Sequence, residues 1–380
     1  MNLTLIVTQN CNMDCSYCFE KQKNRAVSMS DDVLRRTLDH IMEEYLKNSS
    51  EPISINFCGG EPLLMFDKIR YFIEQIELKS AAEKLAPVSY EISTNAILIE
   101  SKMIDYLKQH DVSYYIGFDG VKKSFDRNRK FYNNQKGGFE IAYGNIKKML
   151  GEGVRPEQIT LNLVITDNNV EYLTDNVFFI NNIASGIKFS ININYNCKWQ
   201  RKSLGILNEK LGGLIDFYKD RILENNKYSI KFIDDRIKRL LYRRKVKPSE
   251  QCGAANGCLT VLADGNIIGC ATLAYCRENN DEIILGNVSE GINPLKKGSF
   301  RDSIDAIDHD ECEQCGFWGI CNNYCVANNL IGSGKMTEVS RNICETEKII
   351  IYKCNDLVGS LKHDRPDILM SRYGYKVRQN

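Results

Sequence analysis

Residues 3–18 read LTLIVTQNCNMDCSYC, an apolar, β-branched run followed by three cysteines, Cys11, Cys15 and Cys18, spaced C-x3-C-x2-C. The run has the composition of a buried strand, so the cysteines fall on the loop that leaves it. Three thiolates so close together can hold three irons of a [4Fe–4S] cube. The fourth iron is then left without a ligand from the chain, and an open metal position is where a small molecule binds and reacts. A zinc knuckle is the plainer alternative, but zinc sites use four ligands, commonly in paired C-x2-C form.

Outward from this loop the pattern repeats. Strand-like runs occur at Leu3–Thr8, Ile53–Phe57, Val88–Ser93, Ser113–Phe118, Ile159–Ile165 and Lys188–Asn194. Helical patterns fill the gaps at Asp31–Lys47, Lys68–Leu78, Glu100–Gln109, Phe139–Leu150 and Val170–Asn182. The first of these helices carries a start signal, Ser30 followed by Asp31 and Asp32, with carboxylates at the positive end of the helix. Strands alternating with helices imply right-handed crossovers and a parallel α/β sheet, whether open or curled. The cysteine loop then lies at the C-terminal end of the first strand, where parallel sheets place their active sites.

The chain has 380 residues, 43% of them hydrophobic, which is enough for about two domains with a sizeable core. A net charge of +1 exerts no global pull toward nucleic acid or a membrane surface. No apolar run approaches ~18 residues and no charged-then-apolar leader is present. Neither nucleic acid nor membrane is expected as a partner. Fifteen cysteines in a chain without an export signal read as metal ligands or redox groups in a reducing compartment. The expectation is a cytoplasmic protein of an anaerobic or microaerobic setting.

Residues 204–250 read as long helical segments ending in the basic run Arg236–Lys247, a solvated face or a contact for an acidic substrate or donor. From Gln251 the composition shifts to dense cysteines, few regular helices and turn signals such as Asp264-Gly265-Asn266. A small domain looks like this when metal clusters stand in for an apolar core. The division expected is 1–203 for the α/β domain, 204–250 as a bridge, 251–355 for the cysteine-rich domain and 356–380 as a tail.

Further segments accompany the first three cysteines. Tyr17 and Phe19 flank Cys18, Gly59-Gly60-Glu61-Pro62 follows the second strand, and Ser93-Thr94-Asn95 ends the third. Phe118-Asp119-Gly120 ends the fourth, and Arg129 closes Asp126-Arg-Asn-Arg129. Together these resemble the radical S-adenosylmethionine (SAM) enzymes, in which the strands form a partial (β/α)6 TIM-like barrel. The resemblance implies that Tyr17 and Phe19 lie beside the adenine. It also implies that Gly59, Gly60 and Glu61 receive the methionine amine, that Ser93 and Asn95 meet ribose and amine, and that Asp119 and Arg129 lie near the carboxylate. Gly117 departs from the family pattern, which commonly has a serine there. In that family the reduced cluster cleaves SAM to a 5′-deoxyadenosyl radical, which abstracts a substrate hydrogen.

Downstream, Cys252-x5-Cys258-x11-Cys270 is followed by Cys312-x2-Cys315-x5-Cys321-x3-Cys325 and by Cys344. These spacings resemble the SPASM extension of peptide-modifying radical SAM enzymes and are most similar to the anaerobic sulfatase-maturing enzymes. The resemblance implies two auxiliary [4Fe–4S] clusters, three in all, with Cys252, Cys258, Cys270 and Cys325 on one and Cys312, Cys315, Cys321 and Cys344 on the other. Of the four remaining cysteines, Cys58 and Cys354 read as packing, Cys197 falls at the rim of the sixth strand, and Cys276 is a substitute ligand at most. None of the four histidines (His40, His110, His309 and His363) is near a motif.

Sulfatase-maturing enzymes carry an aspartate directly after the cysteine that corresponds to Cys270. Here that residue is Ala271, and a methyl group cannot accept a proton. Asp281 or Glu282 replaces it only if the loop folds back. The resulting expectation is a maturase that oxidatively modifies a ribosomally made precursor peptide by a side-chain crosslink, a carbon–carbon cyclophane or a thioether. The alternatives are a sulfatase-maturing enzyme and a small-molecule alcohol dehydrogenase of the same family. Expected partners are the peptide, an electron donor such as flavodoxin or ferredoxin, and a separate leader-recognition protein, since the chain begins at the first strand of the barrel.

Overall fold

The structure, a computed structural model, describes residues 2–18, 26–47, 52–83, 88–243, 247–276, 281–307 and 310–377. Phe19 and His309 lie outside the described residues. Six strands, β1 (Asn2–Thr8), β2 (Ile53–Gly59), β3 (Val88–Thr94), β4 (Ser113–Gly117), β5 (Ile159–Ile165) and β6 (Lys188–Ile193), pair in sequence order, all parallel. The crossover helices are α1 (Asp31–Lys47), α2 (Phe66–Ala82), α3 (Ser101–Gln109), α4 (Lys122–Asn128), α5 (Phe139–Gly151) and α6 (Leu173–Asn181). β6 pairs only with β5 among the described strands, so the barrel is partial. The Ser30 start signal is used: Val33 N donates to Ser30 Oγ at 3.1 Å.

Strands β2 to β5 alternate buried and half-buried positions. Ile53, Ile55 and Phe57 of β2, and Ile159, Leu161 and Leu163 of β5, are buried and join one core with Phe72 and Ile73 of α2 and Ile146 of α5. Phe57 meets the edge of Phe72 with ring centroids 5.8 Å apart. Each such fully buried side chain contributes about 1.5–3 kcal/mol by leaving water. The residues between them, among them Asn56, Glu91, Ser93, Tyr115 and Asn162, are only half-buried and polar. One face of the sheet is therefore the helix-covered core and the other is an open, polar concavity.

Beyond residue 200 come α7 (Arg201–Glu224), α8 (Lys231–Leu241), α9 (Pro248–Gln251), α10 (Pro294–Asp305), α11 (Asp310–Glu313), α12 (Val326–Ser333), α13 (Arg341–Asp364) and α14 (Pro366–Tyr373). The strands here are β7 (Cys258–Val261), β8 (Asn266–Ile268), β9 (Ile284–Asn287) and β10 (Gly291–Ile292). β7 lies parallel to β1, with Asn2 opposite Cys258 and Leu5 opposite Val261, and the whole sheet runs β10-β9-β8-β7-β1 through β6.

Three features depart from the sequence reading. The cysteine-rich region shares the barrel's sheet. It also contains a 24-residue helix, α13, where few regular helices were expected, and this helix packs along α7 and α8. Its buried face, with Ile343, Ile350, Ile351, Cys354, Leu357 and Leu361, has helical spacing. Finally, α7 runs through the expected division at 203/204 and α13 through that at 355/356. No helix among the described residues is long and apolar enough to cross a membrane.

Candidate active site

Four segments at the C-terminal ends of β1–β4 build one site. Gly59 and Gly60 press against the cysteine loop itself. A Cβ on Gly59 would collide with the Thr8 carbonyl, and one on Gly60 with the Asn10 carbonyl. Gly59 also has φ +142°, a conformation open to glycine. Gly60 N donates to Thr8 O at 2.8 Å and Glu61 N to Asn10 O at 2.8 Å. On its other side the loop is laced to residues 128–132, with Asp14 N on Lys130 O (2.8 Å), Ser16 N on Asn128 O (2.9 Å) and Tyr132 N on Asn12 O (3.0 Å). The cysteine loop is thus clamped by backbone hydrogen bonds that need no metal.

Glu61 is fully buried. Its Oε1 accepts from Leu63 N at 3.1 Å and Thr94 Oγ1 at 2.7 Å, and its Oε2 from Asn95 N at 2.8 Å. Both oxygens are engaged in tying the Gly-Gly-Glu-Pro turn to Ser93-Thr94-Asn95, so the carboxylate is a pin between loops. Burial pushes its pKa to about 7, against the lowering effect of those three donors. A carboxyl whose folded pKa exceeds its unfolded one loses stability as pH rises between the two values, here from about 4.3 to about 7. Melting curves across that window are expected to slope downward, and Glu61→Gln is expected to flatten the slope. An unchanged slope would show that Glu61 is ionised throughout.

Asn95 Nδ2 donates to Asn12 Oδ1 at 2.8 Å and lies 3.8 Å from Cys11 Sγ. Met13 N donates to the same sulfur at 3.4 Å, and Asn12 Nδ2 is buried without a partner. Donors aimed at a ligand sulfur suit an iron–sulfur cluster, whose sulfurs are hydrogen-bonded. Asn12 carried no motif and was not singled out from sequence. Ser93 Oγ turns to Asn56 Oδ1 at 3.0 Å.

Tyr17, half-buried, forms one group with the buried Asp119 and Arg129. Tyr17 Oη donates to Asp119 Oδ2 at 2.7 Å, Asp119 Oδ1 accepts from Val164 N at 3.2 Å, and Arg129 Nε is 3.2 Å from Asp119 Oδ2. That ion pair leaves Nε without an aligned acceptor. The guanidinium stacks near the rings of Tyr17 (5.3 Å) and Phe125 (5.7 Å). Burial works against its charge, but Asp119 and Tyr17 outweigh that and hold it cationic. Gly117 makes this possible: a Cβ there would stand 2.5 Å from Nη1 and 2.6 Å from Nη2 of Arg129. The position that lacks the family's serine is occupied by the arginine.

The downstream cysteines gather as two sets. Cys252 is raised by burial, then by Cys270 and Cys258, and Cys325 is pushed up to about 12 by burial, then by Cys270 and Cys252. Cys312 is raised by burial, then by Cys344 and Cys315, and Cys321 up to about 12 by burial, Glu347, Cys312 and Cys315. Backbone N–H groups of Ala254, Asn323, Ala327 and Asn328 point at these sulfurs. No disulfide joins any of the fifteen cysteines. Among the described residues no three His, Cys, Asp or Glu side chains close on a single metal ion. Buried thiols in such groups resist ionising, and iron binding would release their protons.

Cys252, Cys270, Cys276, Cys325 and Cys58 pack on one small apolar cluster with Ile6 of β1. The first downstream set therefore borders the barrel at β1 and β2. The second set is tied to the end of β6. Tyr195 Oη donates to Glu347 Oε1 at 2.6 Å, Arg236 Nη2 to the same oxygen at 2.6 Å, and Asn322 Nδ2 to it at 3.2 Å. Glu347 lies one helical turn after Cys344, and Asn322 directly follows Cys321. Cys354 is buried packing in α13. Cys197 Sγ donates to Asn194 O at 3.1 Å. Asp281 and Glu282 are exposed on a short 3-10 turn packed on α10.

Residues 5–180 match the Radical SAM superfamily. That stretch is a radical SAM domain. A radical SAM cyclopropyl synthase, TigE of Paramaledivibacter caminithermalis, is 22% identical over 92% of this chain and 73% of its own length. The cysteine-type anaerobic sulfatase-maturating enzyme of Clostridium novyi is 25% identical over 84% of this chain and 86% of its own. Two solved structures share the radical SAM fold seen here. Native anSMEcpe with bound AdoMet superposes with a TM-score of 0.75 at 19% identity, covering 94% of this chain and 98% of that one. Streptococcus suis SuiB bound to precursor peptide SuiA does so with a TM-score of 0.59 at 17% identity, over 90% and 75%. The relatives are enzymes, and this radical SAM protein is one as well.

Proposed function

We propose that this enzyme is a radical SAM peptide maturase that oxidatively crosslinks side chains of a ribosomally made precursor peptide. The observation that carries the reading is the polar concavity, bounded by the clamped cysteine loop at its mouth and by the first downstream cysteine set at β1 and β2. Cys11, Cys15 and Cys18 would hold the SAM-binding cluster, and the two downstream sets would hold two fully ligated auxiliary clusters. With SAM bound, the first cluster would supply the electron that generates a 5′-deoxyadenosyl radical. The chain's own residues orient and shield. Arg129, held by Asp119 and stacked on Tyr17, would meet the SAM carboxylate, and the Gly59–Glu61 turn would face the methionine end. An electron donor such as flavodoxin or ferredoxin and a leader-recognition protein complete the proposed partners, in the cytoplasm. The proposed division into barrel, bridge and cysteine-rich domain follows the same reading, with the shared sheet joining first to last.

Sulfatase maturation is the second reading, supported by the 25% identity to the cysteine-type enzyme. Ala271, which opens the short helix Ala271–Tyr275, weighs against it because no proton acceptor stands there. The deciding experiment incubates the reconstituted, reduced enzyme and SAM with peptides encoded beside its gene. A crosslink appears as loss of two hydrogens in a peptide that does not react with hydrazides. A hydrazide-reactive aldehyde would favour sulfatase maturation, and unmodified peptides throughout would overturn the peptide reading.

Gly117→Ser tests the carboxylate contact. Its side chain would enter the space of the Arg129 guanidinium, and SAM affinity by calorimetry is expected to fall about tenfold, or ~1.4 kcal/mol. Unchanged affinity would remove Arg129 from the SAM site.

A further inference from the structure

The concave face holds a carboxylate that nothing described so far uses. Glu91 is on β3, in register with Asn56 of β2 and Ser113 of β4, and by strand alternation it shares the open face with Ser93 and Tyr115. Around it the face is a hydrogen-bonded polar surface. Ser93 Oγ donates to Asn56 Oδ1 (3.0 Å), Ser190 Oγ donates to Asn162 Oδ1 (3.0 Å), and Tyr115 Oη shares a hydrogen with Ser190 Oγ (3.0 Å). These groups satisfy one another. Glu91 is left out: among the described residues none donates a hydrogen bond or lends a positive charge to its carboxylate, which burial alone makes harder to ionise.

Strand alternation puts Cys58 and Tyr115 on the same face, each two residues beyond one of its register partners. Cys58 is pushed up to about 11 by burial, with Glu61 and Glu91 adding to the effect. Tyr115 is raised by burial, with Glu91 and Cys58 adding again. Among the described residues this acid lacks a counter-charge. We propose that Glu91 anchors a pocket in the concave face that receives a cationic side chain, lysine or arginine, of the peptide substrate. This rests on the peptide-maturase reading and narrows it.

Three physical points single out that ligand. A half-buried carboxylate without a donor is costly until a charged donor arrives, and an ammonium or guanidinium supplies both hydrogen bond and charge. The site lies two residues below Ser93, about 7 Å farther from the strand-end loops. A long stem reaches that depth, whereas a serine or cysteine side chain does not. The same depth sets Glu91 apart from the groups at the strand ends that face SAM. An aromatic side chain would cover the Glu91 carboxylate without supplying it a donor.

The test uses the reconstituted holoenzyme with SAM, immobilised under anaerobic conditions, and a random hexapeptide mixture. Retained peptides are expected to be enriched about tenfold in lysine or arginine, and Glu91→Gln is expected to abolish the enrichment. Retention without basic bias, or a bias that survives E91Q, would overturn the pocket. E91Q is expected to melt no lower than wild type, because a neutral amide replaces an unpaired half-buried carboxylate. Should it unfold, wild-type competition decides: displacement of retained peptide by N-acetyl-lysine amide but not by N-acetyl-norleucine amide sustains the proposal, and equal displacement overturns it. If wild type retains no peptide, the peptide reading fails separately. Calorimetry with N-acetyl-lysine amide on wild type and E91Q then decides the pocket: binding that E91Q loses sustains it, and no binding overturns it.

Discussion

Cys15→Ala is expected to reduce formation of 5′-deoxyadenosine from SAM by at least ~10³-fold, equivalent to ~4 kcal/mol of lost transition-state stabilisation. The thiol is half-exposed, and it is not what shapes its loop. Asp14 N and Ser16 N, on either side, are held by Lys130 O and Asn128 O through the backbone, so the variant should fold and keep the shape of its mouth. What it loses is one of three proposed iron ligands. Iron content should fall by about four of about twelve atoms, while the downstream sets stay loaded. In the reduced protein, the electron paramagnetic resonance signal that responds to SAM should vanish and the remaining signals persist. Normal SAM cleavage by this variant would remove the N-terminal cysteines from the chemistry.

The second large effect concerns stability. Glu347 is 1% exposed and Arg236 7%. Oε1 of Glu347 accepts from Tyr195, Arg236 and Asn322. Glu347→Ala would leave the guanidinium buried without its counter-charge, and breaking a buried pair from one side costs about 3–5 kcal/mol. The melting midpoint should drop by several degrees, and iron should be lost first from the set containing Cys321 and Cys344. Joint replacement, Glu347→Leu with Arg236→Met, should recover most of the loss, since two apolar side chains leave no orphan charge. A single variant as stable as wild type would mean that water reaches the pair.

Much of the barrel was legible because its signals are local. Apolar runs, helix starts and close cysteine spacings are written within ten or twenty residues of one another. The pairing of β7 with β1 joins residue 2 to residue 258, and no local pattern announces such a contact. Helix α13 was obscured by the cysteines around it, although its apolar residues recur at three and four. The hydrogen bonds of Glu61 were not legible for a different reason. A motif says which residue stands in a turn, and packing decides whether its oxygens face outward or bind neighbouring loops. The concave face was legible but unread. Parallel strands covered on both faces are continuously apolar, whereas Asn56, Glu91 and Asn162 interrupt theirs at alternate positions. That alternation marks a sheet with one uncovered side, and it was the available signal for Glu91.

The strand beside β1 has a consequence for biogenesis. On the ribosome, the edge of β1 that faces β7 emerges well before its partner at Cys258–Val261, which follows some 250 residues later. At roughly 5–20 residues per second, that edge stays open for tens of seconds, a template for wrong pairing with other nascent chains. A truncated gene ending before β7 would make that exposure permanent, so fragments of this protein should aggregate when the full-length chain does not.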